Sequence, residues 1–196
     1  MEEEILTRND DLRDALIIAG IAELERHGLS GFSLRRVAAT CSVSCAAPYR
    51  HFKSKDDLIL AIIGYIGRRW TMLYDHICLA FKGDTLRALT EVCVANIRFW
   101  IANPNFRSIM TLDESSLDSR QREEKTKLTE GVRALISDYC EENSVSEASR
   151  AKLDFSLFSI IYGAVQMLGS GELDNTADSM DMIKSCIKDV ISSSKD

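Results

Sequence analysis

The 196-residue sequence predicts an all-α fold: an N-terminal three-helix helix-turn-helix domain followed by a larger C-terminal helical domain. Apolar residues recur at three- and four-residue spacing along most of the chain. No stretch alternates apolar and polar residues as a half-buried strand does, and helix-stopping residues fall between the periodic segments. The two prolines, Pro48 and Pro104, both stand outside the long apolar segments.

Leu12, Ala15, Leu16, Ala19 and Ala22 share one helical face, and Gly28 stands where that helix would stop. Ser33 is placed to cap a short helix over residues 34–40. Cys41-Ser42-Val43 reads as a tight turn, and a second short helix is expected over residues 44–51. Ser54-Lys55-Asp56-Asp57 resembles a capping box and opens a long helix reaching about residue 80. Asp84 can cap the next helix, whose inner face is Leu86, Leu89, Cys93, Asn96 and Trp100, until Asn103-Pro104 stops it. A helical turn follows near residues 106–112, then a highly charged helix over 118–142. Ser146 starts an apolar helix to about residue 168, closed by Gly169-Ser170-Gly171. The last helix, 177–192, gathers Met180, Ile183, Ile187, Val190 and Ile191 on one side. These elements divide into domains 1–53 and 54–196.

Charge is distributed unevenly. The net charge is −6, yet residues 26–55 hold six cations (Arg26, Arg35, Arg36, Arg50, Lys53, Lys55) and no acid. Residues 56–196 carry sixteen Lys and Arg against twenty-two Asp and Glu, which accounts for the whole negative balance. A cationic window inside an acidic chain is what a localised phosphate-binding surface requires. No apolar run reaches the roughly 20 residues of a membrane span. The start, Met1-Glu2-Glu3-Glu4, is acidic where an export signal is cationic, so a cytoplasmic protein is expected. The six cysteines are scattered and are read as free thiols. No Cys/His spacing fits a zinc site, and no nucleophile–base constellation is present, so neither metal, cofactor nor enzymatic activity is expected.

Two short helices joined by a tight turn form a DNA-binding device when the first packs on the domain and the second enters the major groove. Val37 and Ala38 supply the buried side of the first, Val43 plugs the turn, and Phe32 and Phe52 bracket the unit. The run from His27 to Ala38, then Val43-Ser44, then Tyr49-Arg50-His51-Phe52-Lys53-Ser54-Lys55-Asp56-Asp57-Leu58 resembles the DNA-binding signature of the TetR (tetracycline-repressor-like) family. Cys41-Ser42 stands where the family usually has Ala-Gly, so the turn must form without glycine. The resemblance implies a transcription regulator in which Tyr49, His51 and Lys55 touch the DNA backbone, with Ser33 and Arg35 or Arg36 on neighbouring phosphates. Ser44, Cys45, Ala46 and Ala47 would lie at the base edges. Small residues cannot make bidentate base pairings, so Arg36 or Arg50 is expected to supply much of the direct readout.

In the second domain, Trp70, Cys93, Trp100, Phe106, Met110, Tyr139, Phe158 and Tyr162 are candidates to line a pocket for a small, largely apolar effector. Asn96 and Gln166 join them as amides on apolar faces, whose partner is a ligand, a backbone group or another subunit. The apolar helices at about 147–168 and 177–192 are expected to meet their symmetry copies in a homodimer, matching a palindromic operator in double-stranded DNA. Repression relieved by the effector is the mechanism the resemblance implies. An activator, a thiol-controlled regulator, or a helical adaptor for an acidic partner remain as alternatives.

Overall fold

The computed structural model describes residues 2–195, with side chains from Asp11 onward, so the acidic side chains at the extreme N-terminus lie outside the described residues. Helix α1 (Glu2–Gly31) loses helical geometry at Gly28, whose φ of 61° suits glycine. Helix α2 (Leu34–Thr40) follows, then a 3-10 turn at Pro48–Arg50, α3 (Lys55–Ala80) and α4 (Thr85–Ala102). Short turns lead through α5 (Arg107–Met110) into α6 (Ser119–Glu142), α7 (Glu147–Ser170) and α8 (Ala177–Ser193). No strand occurs among the described residues. Ser33, Asp84, Ser146 and Thr176 each accept a hydrogen bond from the third residue beyond them, capping α2, α4, α7 and α8.

The second short helix expected at 44–51 is not an α-helix. Only Pro48–Arg50 forms a 3-10 turn, because Pro48 has no N–H to return to the Ser44 carbonyl. Ala47 N–H bonds Ser44 O instead, and Arg50 bonds Ala47 O, so the segment is built of three-residue turns.

Packing divides the chain into two compact units, Met1–Arg68 with Asn105–Thr126, and Arg69–Pro104 with Lys127–Asp196. In the first, Leu16, Ile17, Leu24, Val37, Ala38, Phe52, Leu58, Ile62 and Ile66 are buried, and Phe32 is 6% exposed. The buried face of α1 is rotated from the expected one: Leu16 and Ala19 lie inside, while Ala15 is exposed and Ile17, Ile21 and Leu24 are buried. Gly20 lets α1 and α3 approach, since a Cβ there would stand 2.8 Å from Ile62 Cδ1.

In the second unit α4 packs on α7 and α8, and α7 on α8. Leu89, Val92, Cys93 and Ile97 of α4 are fully buried, as are Leu157, Ile187 and Ile191 of the last two helices; Leu86 is exposed. Tyr139 of α6 donates its hydroxyl to Ile191 O at 3.1 Å, satisfying a last-turn carbonyl of α8. The apolar side of α8 named from the sequence is thus used inside the subunit, with Met180, Ile183, Ile187 and Ile191 buried and Val190 half-buried. Helix α7 differs. By length and composition it reaches the scale of a membrane-crossing helix, yet only 33% of its most apolar window is buried.

Candidate nucleic-acid interface

The lead into α2 is organised by a buried acid. Glu23 lies on the inner side of α1, and its Oε1 accepts Ser33 N–H at 3.1 Å and Arg36 Nε at 2.8 Å. Arg36 Nη2 reaches the same oxygen at 2.5 Å and also the Gly31 carbonyl. Burial pushes the Glu23 carboxyl up, but Arg36, Ser33 N–H and His27 together outweigh it and hold the group below its ordinary value of 4.5. Glu23 thereby clamps the α1–α2 corner. Sequence reasoning passed over it; the signal was an acid on a face otherwise made of Leu16, Gly20 and Leu24.

The turn after α2 is a Schellman closure. Val43 N–H bonds Ala38 O at 3.0 Å and Ser42 N–H bonds Ala39 O at 3.0 Å, with Ser42 at φ 56°. This left-handed region costs a non-glycine residue about 1–2 kcal/mol. Ser42→Gly is therefore expected to raise stability by about 0.5–1 kcal/mol, the relief less glycine's own entropy loss. Chemical denaturation checks this, and a loss of stability in the variant contradicts it.

Beyond the turn, Ser44, Cys45, Ala46, Tyr49 and Arg50 are exposed, as is Arg35 on α2. The Arg35, Tyr49 and Arg50 side chains have no hydrogen-bonding or ionic partner among the described residues. Five expected DNA contacts are turned inward or engaged within the chain. Ala47 turns inward at 8% exposure, because Pro48 packs the segment against the core, so its methyl cannot sit at a base edge. Arg36 is held by Glu23 and Gly31 O. Lys55 donates to Leu29 O at 2.6 Å and lies over the Phe32 ring, capping the end of α1. The Nε2 of His51 is buried, with no hydrogen-bond partner among the described residues, rather than presented outward. Ser33, half-buried, commits its hydroxyl oxygen to Arg36 N–H. At the start of α3, Ser54 Oγ accepts Asp57 N–H as a capping box requires, but the Asp57 carboxylate returns to Lys53 N–H instead of the cap residue.

Residues 16–62 match the model of a family described as bacterial regulatory proteins, tetR family. That stretch is a TetR-family helix-turn-helix region. No curated protein matches the chain in sequence. In fold, the chain is similar to a TetR family transcription regulator from Marinobacter aquaeolei, at TM-score 0.75 and 18% identity over 94% of this chain and 97% of that one. It is also similar to the TetR family regulator PfmR from Thermus thermophilus, at TM-score 0.66 and 20% identity over 89% and 92%. A Clostridium perfringens protein provisionally assigned as a fatty acid metabolism regulator gives TM-score 0.74 and 19% identity over 90% and 97%.

The ten expected pocket residues fall in both compact units. Phe106 and Met110 belong to the first compact unit, where Phe106 meets Tyr65 edge-on. In the second unit, Trp70 and Trp100 both pack on Phe99, and Cys93 and Tyr139 are fully packed core. Phe158 lies under the Arg133 guanidinium, 4.7 Å from its ring centre. The Asn96 carbonyl oxygen takes the Trp100 indole N–H at 3.0 Å, so its partner is a side chain of its own helix. Gln166 and Tyr162 are exposed, so the Gln166 amide needs no buried partner. A cleft of about 470 Å³ lies elsewhere in this unit, along α3 and α4, with none of the ten in its lining.

Thiol control finds little footing at Cys41: burial pushes its thiol up, and Sγ donates to Ala15 O at 3.5 Å. Cys93 is pushed up to about 12 by full burial.

Proposed function

We propose that this regulator is a repressor that binds a pseudo-palindromic operator as a homodimer and leaves it when a small, largely apolar effector binds. Residues 1–53 would carry the DNA contacts, and residues 54–196 the effector and dimer contacts, in the cytoplasm. The observation that carries the DNA half is the set of exposed side chains without partners, Arg35, Tyr49 and Arg50, inside the acid-free window of residues 26–55. Arg50 is the residue for base readout now that Arg36 is engaged, and its planar fork suits guanine. Arg35 and Tyr49 would hold phosphates, while Cys45 and Ala46 permit close approach or meet thymine methyls.

The homodimer is supported by α7. Phe155, Tyr162 and Met167 are exposed on it, and Met182 on α8. Between Tyr162 and Gln166, Gly163 has open space where a Cβ would stand, so a second helix could approach closely there. A two-fold pairing of these helices would cover that face and set two recognition segments on one duplex.

Selection from random duplexes is expected to return an inverted repeat with half-sites about 34–36 Å apart. Arg50→Ala is expected to lose about 1–3 kcal/mol of discrimination within each half-site. An unrepeated motif would contradict the dimer, and unchanged preference in the variant would contradict the role of Arg50.

A further inference from the structure

We propose that the groove between α3 and α4 binds a single-chain amphiphile with a carboxylate head, the acyl chain lying along the groove and the head on Arg98. This names a place and a chemical class for the effector and rests on the effector-responsive reading above.

Leu73 and Ile77 of α3 and Phe81 just beyond its end recur every four residues and form one wall. Val94, Ala95 and Phe99 form the other wall on α4. The volume of this open groove is about 470 Å³, inside the range of small-molecule sites. The α4 lining runs from Glu91 to Ala102, about 16 Å of helix at 1.5 Å per residue, so the site is long and narrow. Its walls leave Leu73 38% exposed, a large apolar side chain in water that an acyl chain would cover.

Charge selects the head group. The groove holds two charged residues, Glu91 and Arg98. Glu91 is already neutralised by Lys184 at 2.6 Å. Arg98 is exposed and has no hydrogen-bonding or ionic partner among the described residues. One uncompensated guanidinium beside an apolar trough is complementary to a chain ending in a carboxylate, which the guanidinium can hold through two parallel hydrogen bonds. A neutral apolar ligand would leave Arg98 unused, and a cationic one would be repelled.

The test uses the full-length protein, decanoate and its neutral counterpart 1-decanol, with binding followed by calorimetry. Decanoate is expected to bind with one site per chain. Arg98→Gln is expected to weaken decanoate about tenfold while leaving decanol unchanged. Ala95→Trp, from a half-buried position in the trough, is expected to abolish both. Circular dichroism confirms that each variant is folded, and Ala95→Leu serves if the tryptophan variant is not. No binding of either compound by the wild type overturns the groove. Equal effects of Arg98→Gln on decanoate and decanol overturn the head-group assignment. Duplex affinity on the same samples separates the two readings. Saturable, Arg98-dependent binding without loss of duplex affinity supports the site and counts against effector coupling. Decanoate-driven release of DNA that survives Ala95→Trp overturns the site and leaves effector control standing.

Discussion

Phe155→Glu combined with Tyr162→Glu is expected to convert the protein to a monomer and to lower its duplex affinity with it. The two positions are seven residues apart, two turns of α7, and so share a face. Phe155 is 74% exposed and Tyr162 44% exposed in the single chain, so both present surface to a second subunit. In a two-fold contact each change occurs twice, and every buried aromatic lost forfeits about 1.5–3 kcal/mol, so self-association should weaken at least ~100-fold. Sedimentation measures the assembly and circular dichroism the fold. If α7 only faces solvent, the same substitutions are near-neutral surface changes. A dimer that persists unchanged contradicts the α7 face as the contact.

Glu23→Gln is expected to destabilise the DNA-binding unit by about 2 kcal/mol at neutral pH, because the charge-assisted bonds from Arg36 and Ser33 N–H weaken together. The dependence on pH has a definite direction. Since the folded protein holds the Glu23 carboxyl below its ordinary 4.5, the stabilisation is fully present above that value and is lost as pH falls through the lowered one. The deficit of the variant relative to wild type should therefore be full at pH 7 and shrink on acidification below about 4.5, as thermal melts at a series of pH values would show. A deficit that stays constant into acid would mean that Glu23 acts by shape and not by charge. Duplex affinity should fall in the variant as well, because the same carboxylate fixes where α2 begins.

The sequence made the fold legible wherever the determinant was local. Ser33, Asp84 and Ser146 cap the helices they were expected to cap, and Asn103-Pro104 ends α4. A cap needs only its own three or four residues, so no knowledge of the tertiary structure is required. Pro48 carried a local signal too, and its missing N–H is what reduces the expected second helix to a 3-10 turn. Roles that depend on partners far along the chain were not legible. Arg36 finds Glu23 thirteen residues earlier and Lys55 finds Leu29 twenty-six residues earlier, ties within the chain that local sequence does not announce. The candidate pocket residues were least legible for the same reason. Helical periodicity says that Trp70, Cys93 and Tyr139 face inward, but only packing says that they fill the interior instead of lining a space.

Duplex binding as a function of salt addresses the central claim most directly, since binding through cations to phosphates must release counterions. The full-length protein is expected to bind random duplex at low salt, with the logarithm of affinity falling linearly as the logarithm of salt concentration rises, and Arg35→Ala should reduce the slope by about one. No duplex affinity at low salt, or an affinity that does not change as salt is raised, would contradict a DNA-binding surface in residues 26–55.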